Sequence, residues 1–72
     1  MSGEYLQMLR RIAATNGLPF RVLNRHEILT VDALESMDLA VWVRDKFLAA
    51  HITSMGLAEI RKADQQRGMV RT

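Results

Sequence analysis

The chain has no cysteine, a single proline and four glycines, and its aromatic side chains make up only 6% of 72 residues. Without cysteine there are no disulfides. With His26 and His51 as the only imidazoles, a structural zinc site lacks its usual ligand set, so neither metal nor cofactor is expected. Long hydrophobic runs are missing as well. The longest, Leu39 to Val43, falls far short of the roughly 20 apolar residues that span a bilayer. Met1-Ser2-Gly3-Glu4 shows no basic stretch leading into an apolar run, so no secretory leader is expected there. Glycine at position 3 rather than 2 does not fit the myristoylation pattern. These readings make the cytoplasm the expected compartment.

Recognisable catalytic patterns are also lacking. There is no nucleophile elbow, no phosphate-binding glycine loop and no paired-histidine motif. Ser36, Ser54, His26 and His51 are present, but a nucleophile needs a base within hydrogen-bond reach and a group that orients it. His51 is read as a helix-terminal imidazole rather than a general base. No enzyme and no small-molecule substrate are expected.

What the chain does have is an ordinary globular balance, with 49% hydrophobic and 25% charged residues in a length that suits one domain over 1–72. A core of this size supplies about 3–5 kcal/mol of net stability, and such chains commonly lean on self-association or a partner. The formal charge of +2 is unevenly spread. Residues 1–26 hold four arginines against Glu4, a net +3; residues 27–50 hold five acids against Arg44 and Lys46, a net −3. Residues 51–72 hold four cations against Glu59 and Asp64, a net +2. Basic ends packed around an acidic middle explain this pattern; basic ends approaching a polyanion are the alternative.

The local signals predict an all-α fold, a compact bundle of three to four short helices at about 3–16, 25–35, 37–51 and 54–67. Ser2 caps the first, with Glu4 in its first turn and Tyr5, Met8, Leu9, Ile12 and Ala13 at helical spacing. Asn16-Gly17-Leu18-Pro19 ends it. A short extended segment fits at 20–23, and a hairpin with Ile28–Val31 is the rival arrangement. Asn24 with Glu27 three residues on forms a capping box for the second helix. Ser36, with Asp38 in the first turn, caps the third helix, on which Leu39, Ala40, Val43, Phe47 and Ala50 fall in one arc. Thr53 or Ser54 caps the fourth, and a single helix across 37–67 is disfavoured by Ile52, Thr53 and Gly56.

Trp42, Val41 and Leu48 lie outside the arc of the third helix. A helix apolar on two sides needs a second cover, so these three residues are the expected protein interface, in a homodimer or with another protein. The leading expectation is a small, non-catalytic regulatory protein acting by stoichiometric protein contact, of the size that suits an inhibitor or adaptor of a phage or mobile element.

A second pattern concerns about twenty residues around Ser54. With the turn at Ser54, Ala50 takes the small position of a first helix, and Ile60 and Ala63 take buried positions of a second. This arrangement resembles the helix-turn-helix of DNA-binding regulators, with serine where the turn glycine is usual. The resemblance implies a transcriptional regulator whose helix at 55–67 presents Arg61, Lys62, Gln65 and Arg67, with Arg71 beyond, to phosphates and base edges.

Overall fold

The structure, a computed structural model, describes residues 2–70, with side chains through Gln66. It is a mixed α/β fold rather than an all-α bundle. Helix α1 (Gly3–Ala13) leads to a two-residue strand β1 (Leu18–Pro19), a 3-10 turn (Phe20–Val22) and helix α2 (Arg25–Ser36). A hairpin of β2 (Ala40–Arg44) and β3 (Leu48–Ile52) follows, and α3 (Ser54–Val70) closes the chain. The three strands form one antiparallel sheet in the order β1-β3-β2.

Three of the expected helices form where their caps lie. The Ser2 hydroxyl accepts from the Tyr5 N–H. Asn24 and Glu27 exchange both bonds of the capping box at 2.8 Å each. The Thr53 hydroxyl oxygen caps α3 by accepting from the Gly56 N–H at 3.0 Å, as the first of the two predicted caps. Helix α1 ends at Ala13 rather than Asn16, and the turn that follows delivers Gly17 at φ 112°. A side chain there would meet the His51 ring at 3.1 Å, so glycine serves both the dihedral and the close approach. Of the segment at 20–23, Phe20–Val22 is a 3-10 turn and only Leu23 is extended, while Ile28–Val31 belongs to helix α2 rather than to a hairpin.

The helix expected at 37–51 does not form, and its place is taken by the β2–β3 hairpin. Two local causes account for this. First, Ser36 is the last residue of α2 and not the cap of a new helix; its hydroxyl donates to the carbonyls of Asp32 and Ala33. Asp38 takes the left-handed conformation at φ 62°. Its N–H bonds the Glu35 carbonyl and the Leu39 N–H bonds the Leu34 carbonyl. This is a Schellman motif with aspartate in glycine's usual seat, flanked by Leu34 and Leu39, both buried. Second, Val41-Trp42-Val43 is a β-branched and aromatic run that favours a pleated strand.

The register pairs Ala40 with Ile52, Val41 with His51, Trp42 with Ala50, Val43 with Ala49 and Arg44 with Leu48, while Leu18 of β1 pairs with Ala50. Alternation therefore gives one face Leu18, Ala40, Trp42, Ala50 and Ile52. This face joins Met8, Leu9 and Ile12 of α1 and Val31 and Leu34 of α2 in a single core, with Leu23 and Leu39 at its ends. Ile60 brings α3 against the same core, and Arg10 pairs with Asp64 across α1 and α3 at 2.6 Å. Among the described residues no helix is long and apolar enough to cross a membrane.

Candidate interaction surfaces

The three residues predicted as one interface are split by the pleat. Trp42 and Leu48 stand on the helix-facing side of the sheet, and Val41 stands on the other. Trp42 is half-buried, and its ring meets Phe20 edge-on with centroids 5.6 Å apart at 65°. Its indole N–H donates to Asp32 at 2.7 Å and its backbone N–H to Glu35 at 3.1 Å. It is thus tied to α2, while Val41 is 37% exposed.

That outer face is the first candidate surface. An antiparallel sheet with one solvated face ordinarily alternates apolar inward and polar outward. Here the outward positions of β2 are Val41 and Val43, the latter 39% exposed, and Phe47 at the hairpin bend is 52% exposed. Ala49 floors a shallow recess between Asn16, Val43, Phe47 and His51, with Asp45 and Lys46 at its hairpin end. Sequence reasoning named Val41 but missed Val43 and Phe47, which a helical arc assigns to the core. The β-branched and aromatic run Val41-Trp42-Val43 is the signal that points to a strand and so places Val43 on the same face as Val41; Phe47, in the bend, carries no such mark.

The second surface holds cations. β1 runs parallel to β2, since both are antiparallel to β3, and Pro19 pairs at the level of Ala49 and Val43. The chain therefore enters the Phe20–Val22 turn at the hairpin-bend end of the sheet. This end carries Arg21, Arg44 and Lys46, with Arg25 opening α2 just after the turn, all exposed. Among the described residues none of the four has a carboxylate within ion-pair distance, whereas Arg10, Arg11 and His26 are paired with Asp64, Glu27 and Glu4. Among the described residues only Arg11–Glu27 joins a basic end to the acidic middle. The Glu27 carboxyl is held below its ordinary value, first by the Asn24 backbone N–H and then by Arg11. Its support of the α2 cap is complete above the ordinary carboxylate range and is lost as pH falls through the lowered value.

The residues predicted to read DNA fall on α3. Arg61, Lys62 and Gln65 are exposed there; the Arg67 side chain and Arg71 lie outside the described residues. The helix-turn-helix itself is not formed, because the element before Ser54 is strand β3 and Ala50 is a buried sheet residue. Among the described residues no group of three His, Asp or Glu side chains is placed to hold a metal ion. No buried side-chain nitrogen or oxygen among them lacks a hydrogen-bond partner, so the interior aims no orphan polar group at a ligand. Compared with protein-family models, with curated proteins and with solved structures, the chain matches none.

Proposed function

We propose that this chain is a non-catalytic binding protein that works stoichiometrically through protein contact, using the outer face of its sheet. The observation that carries the reading is the pair Val41 and Val43, apolar and exposed on a sheet face where unpartnered proteins place polar side chains. The shallow recess above Ala49 supports it, as a place where a partner's anchoring side chain could dock and exclude water. Chemical crosslinking tests it. A benzophenone side chain at Phe47 should give one discrete protein adduct, with the purified protein alone if the partner is a second copy, otherwise in the native host. The same probe at Gln65 should give none. Val41→Lys with Val43→Lys should abolish the adduct at a stability cost of about 1–2 kcal/mol, from lost strand propensity and lost apolar contact, with the folded dichroism spectrum retained. Equal adducts at Phe47 and Gln65, or an adduct that survives the lysines, would remove the proposal.

A second reading, duplex nucleic acid, is favoured by the cations Arg21, Arg25, Arg44 and Lys46, which have no ion-pair partner among the described residues. If these neutralise phosphates, the logarithm of affinity falls against log salt with a slope of roughly −3 to −4, about −0.9 per contact. Arg21→Ala with Arg25→Ala would flatten it by about two, whereas Arg61→Ala with Lys62→Ala would leave it unchanged. On the protein-contact reading, random duplex DNA shows no binding at physiological salt.

A further inference from the structure

We infer that Glu35 is an edge guard: its carboxylate closes the free edge of β2 against an extended strand from a second copy of this chain. β2 lies at the border of the sheet, with β3 on one side and, among the described residues, no strand on the other. In an antiparallel pair the backbone groups point alternately to the partner strand and away from it. The Leu39 carbonyl accepts from Thr53 and the Asp45 N–H donates to Phe47. These two bonds fix the phase: positions 39, 41, 43 and 45 face β3, so Ala40, Trp42 and Arg44 turn their N–H and C=O groups outward.

An edge of this kind is a template for strand addition, and proteins blunt it with charge, proline or a cover. This edge has the features that invite pairing, with five regular residues, two exposed valines and no proline. Its central outward donor, the Trp42 N–H, is already taken by the Glu35 carboxylate at 3.1 Å. One turn back along α2, Asp32 accepts from the indole of the same residue at 2.7 Å. Among the described residues Glu35 has no ion-pair partner that would otherwise explain its placement. Two carboxylates three positions apart on one helix thus hold both donors of one edge residue, and an incoming strand finds the middle of the edge occupied and negatively charged.

Removing the guard should create association that the wild type does not have. On the reading proposed above, contact through the outer sheet face belongs to the wild type, so a species gained only on loss of Glu35 separates the two surfaces. Glu35→Ala should sediment with twice the wild-type mass at high concentration, and its Trp42 amide should exchange about tenfold faster when dilute. Glu35→Gln, which keeps an acceptor oxygen, should behave as wild type. Arg44→Pro in the Glu35→Ala background should return the wild-type mass, because the Arg44 N–H is an outward group that β3 does not use. Independently of that variant, the Ala40 and Arg44 amides should become protected in the associated Glu35→Ala form. Wild-type sedimentation of Glu35→Ala would overturn the inference. So would association that leaves the Ala40 and Arg44 amides unprotected.

Discussion

Gly56→Ala is expected to lower stability by about 3 kcal/mol or more, enough to unfold much of a protein whose core supplies about 3–5 kcal/mol. Helix propensity alone points the other way, because alanine is better than glycine inside a helix by about 1 kcal/mol. The contacts decide. Gly56 sits buried in the first turn of α3, and a Cβ there would overlap the carbonyl oxygen of Leu39 and stand 3.0 Å from two carbons of Ile52. That carbonyl has no freedom to withdraw. It accepts from the Thr53 N–H, and the Leu39 N–H is held by Leu34 at 2.9 Å. Thr53 in turn donates to the Asp38 carbonyl and accepts from the Gly56 N–H. Four connections converge on this point: the end of α2, the start of β2, the end of β3 and the start of α3. A methyl group inserted here pushes all of them apart. Gly3→Ala is the control, since a Cβ at that position meets nothing within 4 Å and the change should be neutral or slightly stabilising. Chemical denaturation followed by far-ultraviolet dichroism would measure both. A Gly56→Ala midpoint equal to wild type would mean that the junction yields, contrary to its hydrogen bonding.

The helix ends were legible where a side chain states its role. Ser2, Asn24 with Glu27, and Thr53 each cap the helix that their chemistry predicts. The hairpin was not legible, and the reasons are physical. Asp38 adopts a left-handed conformation that sequence rules assign to glycine, so the end of α2 carried no mark. Ser36, an apt N-cap, lies inside the last turn of α2 and bonds backward. The bend at Asp45–Phe47 also lacks glycine, and it closes through an Asp45 N–H to Phe47 carbonyl bond. With both boundaries hidden, Leu39, Ala40, Val43, Phe47 and Ala50 satisfy helical spacing, while residues 40–43 form an unbroken apolar run that fits a strand as well as a helix. Short apolar runs are ambiguous in this way, and Val41-Trp42-Val43 tips the balance through its β-branched and aromatic content.

The consequence for the candidate surface was smaller than for the fold. A helix apolar on two sides and a sheet apolar on two faces pose the same problem, namely more apolar surface than the chain can cover. Val41 therefore stays a surface residue in either geometry. Trp42 and Leu48 change sides, because the pleat sends neighbours to opposite faces where a helix would have spread them around one cylinder. The helix-turn-helix arrangement is absent for a related reason. Ile60 and Ala63 do turn toward the protein body, and Arg61, Lys62 and Gln65 turn outward. Helical periodicity in α3 was correct, but the first helix of the motif belonged to the hairpin.

Trp42→Ala is expected to destabilise the protein by about 2–4 kcal/mol, below the largest core truncations because the ring is half-buried. Trp42 is where the hairpin meets α2. Its ring packs on the core and against Phe20, and its indole N–H reaches Asp32. An aromatic pair contributes about 0.5–1.5 kcal/mol beyond buried area, and the hydrogen bond about 1 kcal/mol at an exposed carboxylate. Trp42→Phe separates these contributions. It keeps a ring for Phe20 but removes the donor to Asp32, so its loss should be about 1–2 kcal/mol. The midpoints should therefore rank wild type, Trp42→Phe, Trp42→Ala. Dichroism is the proper probe, because the chain has only one tryptophan and both variants lose its fluorescence. The backbone N–H to Glu35 bond survives in both, so neither should self-associate through the β2 edge while folded. A Trp42→Ala protein that keeps its midpoint but no longer captures its partner would contradict this assignment. It would move Trp42 from the hairpin's anchor to the binding surface and shift the interface from the outer face of the sheet to the Phe20 side.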